Sequence, residues 1–212
     1  MATATYYAKA KVRIGKLAPT VSHNDIYIGV DYGAGDPTKQ TIHRTLLWFD
    51  LASPADQGEL VAGAVIASAV IKGSVTNTNG TPITCRAERL TRDYYGYDHT
   101  TWNNYDTALA WTTPGGDKDS TGSATFPMPT LGDDKTIADI TALAIDAVDN
   151  RAGDLRVVLR ADDESLYTTE THWTNLAYDD NPSTAGQVTT AQAMGDALTA
   201  RLVAAGLKFE VL

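Results

Sequence analysis

Six aromatic side chains fall within eighteen residues: Tyr94, Tyr95, Tyr97, Trp102, Tyr105 and Trp111. Asp93, Asp98, His99, Asn103 and Asn104 are interspersed with them. Flat π faces stack on the C–H-rich faces of sugar rings while Asn and Asp bond the hydroxyls, so the mixture suits a glycan. The same residue types anchor protein–protein contacts. They can equally plug one end of a β-sandwich, their indole N–H groups satisfied locally. Tyr94, Tyr95, Tyr97, Trp102, Asn103, Asn104, Tyr105 and Trp111 are the candidates for ligand or partner binding, with all three uses open.

Other chemistries find less to work with. A glycosidase needs two opposed carboxylates, and nothing singles out Glu88, Glu164 or Glu170 for that pairing. There is no G-x-S-x-G elbow and no phosphate loop. His23, His43, His99 and His172 are scattered, without the spacing of a zinc site. The acidic runs Asp133-Asp134, Asp162-Asp163-Glu164 and Asp179-Asp180 lack the spacing of a calcium loop, so they are expected to be solvated surface. The lone Cys85 sits in an alternating run and is expected to act as a small core hydrophobe. No enzymatic activity and no cofactor are expected.

Charge narrows the partners. Twenty-six acidic against seventeen basic side chains give a formal net charge of −9, which disfavours nucleic acid because phosphate binding needs a basic surface. The first residues, Met1-Ala2-Thr3-Ala4-Thr5-Tyr6, have neither the basic nor the apolar region of a secretory leader. No apolar run approaches the roughly 18 residues of a membrane span. The chain is expected to be made in a cytoplasm, without membrane insertion.

The elements that must position these groups read as strands. Alternating or apolar runs recur at residues 9–14, 25–30, 44–51, 65–72, 83–89, 155–160 and 206–212, separated by Gly, Pro, Asn and Asp. Two segments carry helical spacing instead. Ile137, Ile140, Ala144, Ala147 and Val148 share one face, with Gly153 as a stop. Residues 189–205 place Met194, Leu198 and Leu202 four apart, with Gly206 as the following cap. Nothing divides the 212 residues, so one domain is expected: an all-β antiparallel sandwich with one or two short accessory helices. Seven to ten strands in two sheets are expected, with Leu47 and Phe49 buried on one face and Val157 and Leu159 on one face.

Several landmarks follow one another in order: Asp25-Ile26-Tyr27-Ile28-Gly29, then Arg44-Thr45-Leu46-Leu47-Trp48-Phe49-Asp50-Leu51, then Ile66-Ala67-Ser68-Ala69-Val70-Ile71. Arg86-Ala87-Glu88-Arg89-Leu90, Thr101-Trp102-Asn103-Asn104, Ile140-Thr141 and Thr169-Glu170 complete the series. In that succession the chain resembles a DNRLRE-type domain, a jelly roll related to carbohydrate-binding modules of bacterial surface and secreted proteins. The likeness spans most of residues 6–175 and the last strand. Residues 176–205 depart from it and read as an insertion carrying the second helix, with Met194, Leu198 and Leu202 as candidates for docking a neighbouring subunit or covering the sandwich.

Stand-alone versions without a leader resemble bacteriophage virion proteins. The resemblance thus implies a non-enzymatic structural protein of a tailed-phage virion, a capsid decoration or cement protein or a head or tail accessory protein. Its partners would be other virion proteins or copies of itself in a homo-oligomer. The alternative is a carbohydrate-binding module attaching to a host-surface glycan or polysaccharide. Sugar-binding jelly rolls also imply a structural calcium, to which Asn24, Asp25 or Asp31 could contribute.

Overall fold

The computed structural model describes residues 2–23, 25–52, 65–94, 98–176 and 187–192; the side chains of residues 2–5, 7, 134 and 187–192 are not described. In chain order the strands begin with β1 (Ala2–Tyr7), β2 (Ala10–Gly15), β3 (Ser22–His23), β4 (Ile26–Asp31) and β5 (Thr41–Asp50). β6 (Ile66–Asn79), β7 (Thr84–Leu90), β8 (Asn104–Asp106), β9 (Leu109–Ala110), β10 (Lys118–Pro127) and β11 (Gly132–Asp139) follow. The helix α1 (Thr141–Asn150) then leads to β12 (Asp154–Ala161), β13 (His172–Leu176) and β14 (Gln187–Gln192). The pairings are antiparallel, and the protein is an all-β sandwich made by a curled sheet with one helix.

Twelve strands form one hydrogen-bonded sheet along the path β1-β14-β6-β13-β4-β5-β12-β7-β10. β11 joins it through β6, and β2 and β3 join through β5, while β8 and β9 make a separate ribbon. This corrects the expectation of seven to ten strands in two sheets. β1, β10, β11 and β13 escaped the hydrophobic pattern. β10 shows why: Lys118-Asp119-Ser120-Thr121-Gly122-Ser123 is polar, and its register slips between Asp119 and Ala124. A bulged edge strand does not alternate cleanly.

The low charge of β5 has a structural cause, since it is covered on both faces. Leu47, Phe49 and Leu51 enter the larger core with Ile26, Ile28, Ile71, Leu155, Val157 and Leu159. Ile42 and Leu46 enter a second core with Val12, Ile14, Val158 and the aromatic segment. A strand buried on two sides reads as a near-continuous apolar run. Leu47 lies opposite Val157 and Phe49 opposite Leu155, so the two expected faces meet in one core.

The helix begins four residues later than its spacing suggests. Ile137 and Ala138 belong to β11, where Ala138 pairs with Ile71. Ile137 and Ile140 point into the same core as Leu143, Ala144, Ala147 and Val148, and so imitate one helical face. Thr141 fixes the start: its N–H and hydroxyl donate to Asp139 Oδ1 at 2.9 and 2.7 Å, and its hydroxyl accepts from Ala69 N at 2.9 Å. The N–H of Gly153 donates to Ala147 O at 2.8 Å and closes the other end.

Residues 189–192, expected to open a second helix, lie in β14 between β1 and β6. Val188, Thr189 and Thr190 are β-branched and complete the edge that β6 offers at residues 66–72. Met194, Leu198, Leu202 and the terminal run 206–212 lie outside the described residues.

Candidate functional site

The turn Thr101-Trp102-Asn103-Asn104 is built around its own backbone. Thr101 N donates to Asn104 O at 2.8 Å and Asn104 N to Thr101 Oγ1 at 3.1 Å. Trp111 Nε1 donates to Thr101 O at 2.9 Å, and Asn103 N reaches Pro19 O at 3.0 Å. Tyr94, Trp102 and Trp111 are 1%, 7% and 4% exposed, and Tyr94 donates its hydroxyl to Ala10 O at 3.1 Å. These three rings are the lid of the second core, so their faces are already covered. Tyr105 is partly buried beside Trp111, with ring centroids 5.5 Å apart, and Asn103 and Asn104 are half-buried. Tyr95 and Tyr97 lie outside the described residues.

Arg44 is what the lid closes onto. Its guanidinium stacks over Trp102 at 4.6 Å, grips Glu164 with two N–H groups at 2.7 and 2.5 Å, and donates to Gly115 O at 2.5 Å. That bidentate grip ties β5 to the short 3-10 turn Glu164–Thr168. Gly115 has φ +91°, and a Cβ there would stand 2.4 Å from Arg44 Nη1 and 2.9 Å from Trp102. Only glycine admits that approach.

Further carboxylates among the described residues are likewise engaged. Glu88 accepts from Arg160 Nε at 2.6 Å, both side chains largely buried, and Glu170 meets His172 Nε2. Arg89 contacts Asp119 and Asp146, and Arg151 also reaches Asp146 at 3.0 Å, pinning α1 to the sheet. Asp25 pairs with Arg13 at 2.9 Å, and Asp31 accepts from Gly33 N at 2.8 Å and from the Thr171 hydroxyl at 3.0 Å. Asn24 lies outside the described residues. Among the described residues no three His, Cys, Asp or Glu side chains converge as a metal would require. Burial, and then the charge of Asp162, push the Cys85 thiol up to about 12, which leaves it inert as a nucleophile.

Two surface features were not visible in the linear pattern. On the sheet of β6, β13 and β4, Asn175 lies between Asn77 and Tyr27, and Trp173 between Asn79 and Gly29. Asn77 and Asn79 are exposed, while Tyr27, Trp173 and Asn175 are half-buried. Tyr27 and Trp173 stand 5.1 Å apart at 59°, with His43 5.6 Å from Tyr27 and the Arg13 guanidinium 4.8 Å over it. Gly29 has φ +134°, and a Cβ there would collide with the backbone of His172 and Trp173, so strand pairing requires glycine. Burial, followed by the charge of Arg13, pulls His43 down to about 3. The signals in the sequence were Tyr27, in a run read only as a strand, and Trp173, in a segment not read as a strand at all.

The second feature is a polar groove of about 410 Å³ at the start of β10, lined by Thr91, Arg92, Thr112, Thr113, Asp117 and Lys118. It adjoins the aromatic segment, since Arg92 lies 5.5 Å over Tyr105. Comparison with models of known protein families and with curated proteins gives no match, so the resemblance to DNRLRE-type domains rests on the residues quoted above.

Proposed function

We propose that this protein is a non-enzymatic structural component of a tailed-bacteriophage virion, a capsid decoration or cement protein or a head or tail accessory protein. The observation that carries the non-catalytic part is the condition of its carboxylates. Glu88 and Glu164 are each held by an arginine, and Glu170 meets the His172 ring. A general acid or base needs a proton-accepting atom free to reach a substrate. The virion setting follows from the resemblance, and two features of the fold suit it: β14 joins the start of the chain to β6, and β1 and β10 end the main path of the sheet. Edge strands of this kind can pair with a neighbouring subunit. Purified particles lacking the chain should take up added protein to a saturating level. Particles that never take it up would contradict the reading.

A second reading, glycan binding, is favoured by the Tyr27–Trp173 pair among Asn77, Asn79 and Asn175. Aromatic faces with amides in reach fit sugar rings. Because Trp102 belongs to a core, Trp173→Ala is the informative variant. Specific binding on a glycan array that this substitution abolishes, with unchanged thermal unfolding, supports the reading; a silent array counts against it.

A further inference from the structure

The Tyr27–Trp173 face differs from the aromatic lid in what its polar atoms are doing. In the lid, the Tyr94 hydroxyl and the Trp111 indole are spent on Ala10 O and Thr101 O. On the face, the Trp173 indole N–H and the Tyr27 hydroxyl have no hydrogen-bond partner among the described residues, and both reach water. The side-chain amides of Asn79 and Asn175 are likewise unpaired among the described residues. Asn77 uses only its Oδ1, which accepts from Thr78 N at 2.9 Å. The pairing of β13 with β6 and β4 sets these groups in two rows across the strands, Asn77–Asn175–Tyr27 and Asn79–Trp173–Gly29. Neighbouring strands stand about 4.8 Å apart, so each row spans about 10 Å. Tyr27 is hemmed in by His43 at 5.6 Å and by the Arg13 guanidinium at 4.8 Å, and it braces Trp173 at 5.1 Å. Trp173 is therefore the ring left for stacking.

The charges around these groups are matched or negative. Asp25 Oδ1 lies 2.9 Å from Arg13 Nε, and both atoms are shut off from water. The same guanidinium covers Tyr27 and sets Nη1 3.3 Å from His43 Nδ1. Burial, and then the charge of Arg13, keep His43 neutral down to about pH 3. His23, opposite Arg13 on β3, is lowered by the same two causes against the pull of Asp25. Asp31 closes β4, and Glu170 stands two residues ahead of β13. A carboxylate or sulfate brought to this face would give up water beside carboxylates, with the Arg13 charge already answered by Asp25.

We propose that this face binds an uncharged polysaccharide, a neutral sugar chain without carboxylate, sulfate or phosphate, lying across β6, β13 and β4 with one ring on Trp173. The inference rests on the glycan reading above and names its ligand class. A side-chain amide carries two donors and a carbonyl acceptor, which suits hydroxyls that donate and accept at once. A ring stacked on Trp173 has Asn79 beside it in one row and Asn175 in the next, with the Tyr27 hydroxyl beyond. Groups spread over three strands address a stretch of chain and not one enclosed sugar.

Calorimetric titration of the full chain tests it, with cellohexaose, laminarihexaose and mannohexaose as neutral probes and oligogalacturonate and a sulfated oligosaccharide as acidic ones. Saturable binding of a neutral probe is expected, with an affinity that changes less than about twofold between about 50 and 500 mM salt, because no charges are paired. Trp173→Ala should weaken it about tenfold or more, which corresponds to about 1.4 kcal/mol. Asn79→Ala, at an exposed position, reads the same face if Trp173→Ala does not fold. Acidic probes that bind as tightly or more tightly, and lose affinity in the same variants, overturn the neutral class and leave the glycan reading standing. Neutral binding that the folded variants keep unchanged overturns the location. Silence from both classes overturns the inference together with the glycan reading.

Discussion

Arg44 shows how much a single side chain organises here. Its guanidinium supports Trp102, Gly115 and Glu164 together, from a strand covered on both faces. Replacing Glu164 with Gln would leave a mostly buried cation short of its counter-charge, a change that costs about 3–5 kcal/mol when such a pair is broken. Urea unfolding should show that loss, and a loss below about 1 kcal/mol would mean the pair is solvated. His43 gives a second expectation. Its folded form refuses a proton down to about pH 3, whereas the unfolded chain takes one near 6.5. The unfolded state therefore binds more protons in that window, so stability is full above pH 6.5 and falls as the pH drops towards 3. His23, also lowered by burial and Arg13, acts in the same direction. The urea midpoint should decline between pH 6.5 and 4, and His43→Gln should flatten the decline; an unchanged slope in the variant contradicts the assignment.

The elements that carry apolar side chains at regular spacing were legible in the chain, and those defined by their neighbours were not. β2, β4, β5, β7 and β12 follow the expected runs closely, because each buries a row of apolar side chains, in β7 the smaller Cys85 and Ala87 with Leu90. Phe49 is central to that set, and Phe49→Ala should cost about 3–5 kcal/mol. Cys85, wholly buried in the same core, offers a direct probe, since its thiol should react with a disulfide reagent markedly faster in that variant. Equal rates would show that the core is unaffected. β10 and β13 were missed for opposite reasons: β10 is polar and bulged, and β13 is five residues long with Trp173 and Asn175 outward. Tyr94, Trp102, Tyr105 and Trp111 lie together, but residue types do not reveal which face of a ring is covered. Only the second core decides that for Tyr94, Trp102 and Trp111. β14 alters one expectation further. Deleting residues 183–204 would remove the strand that joins β1 to β6, so it should lower the thermal midpoint and not merely assembly. A deletion variant as stable as the full chain would show that β14 adds nothing to the fold.

At the scale of the whole molecule, many charged and aromatic groups among the described residues are committed to holding the fold together. Buried ion pairs fasten β5, β7 and β12, a half-buried one reaches α1, and Trp102 and Trp111 cap a core. Among the described residues, the surface offers sheet edges, a half-exposed aromatic pair and a polar groove. The proposed role is one of occupying a place and not of turning over a substrate. The most direct test of the proposed role is quantitative mass spectrometry of virions purified from a phage that carries this sequence. A fixed copy number per particle, reproducible between preparations and retained through a salt wash, is the result this account predicts. Particles that are infectious and complete yet contain no copies of the chain would contradict it.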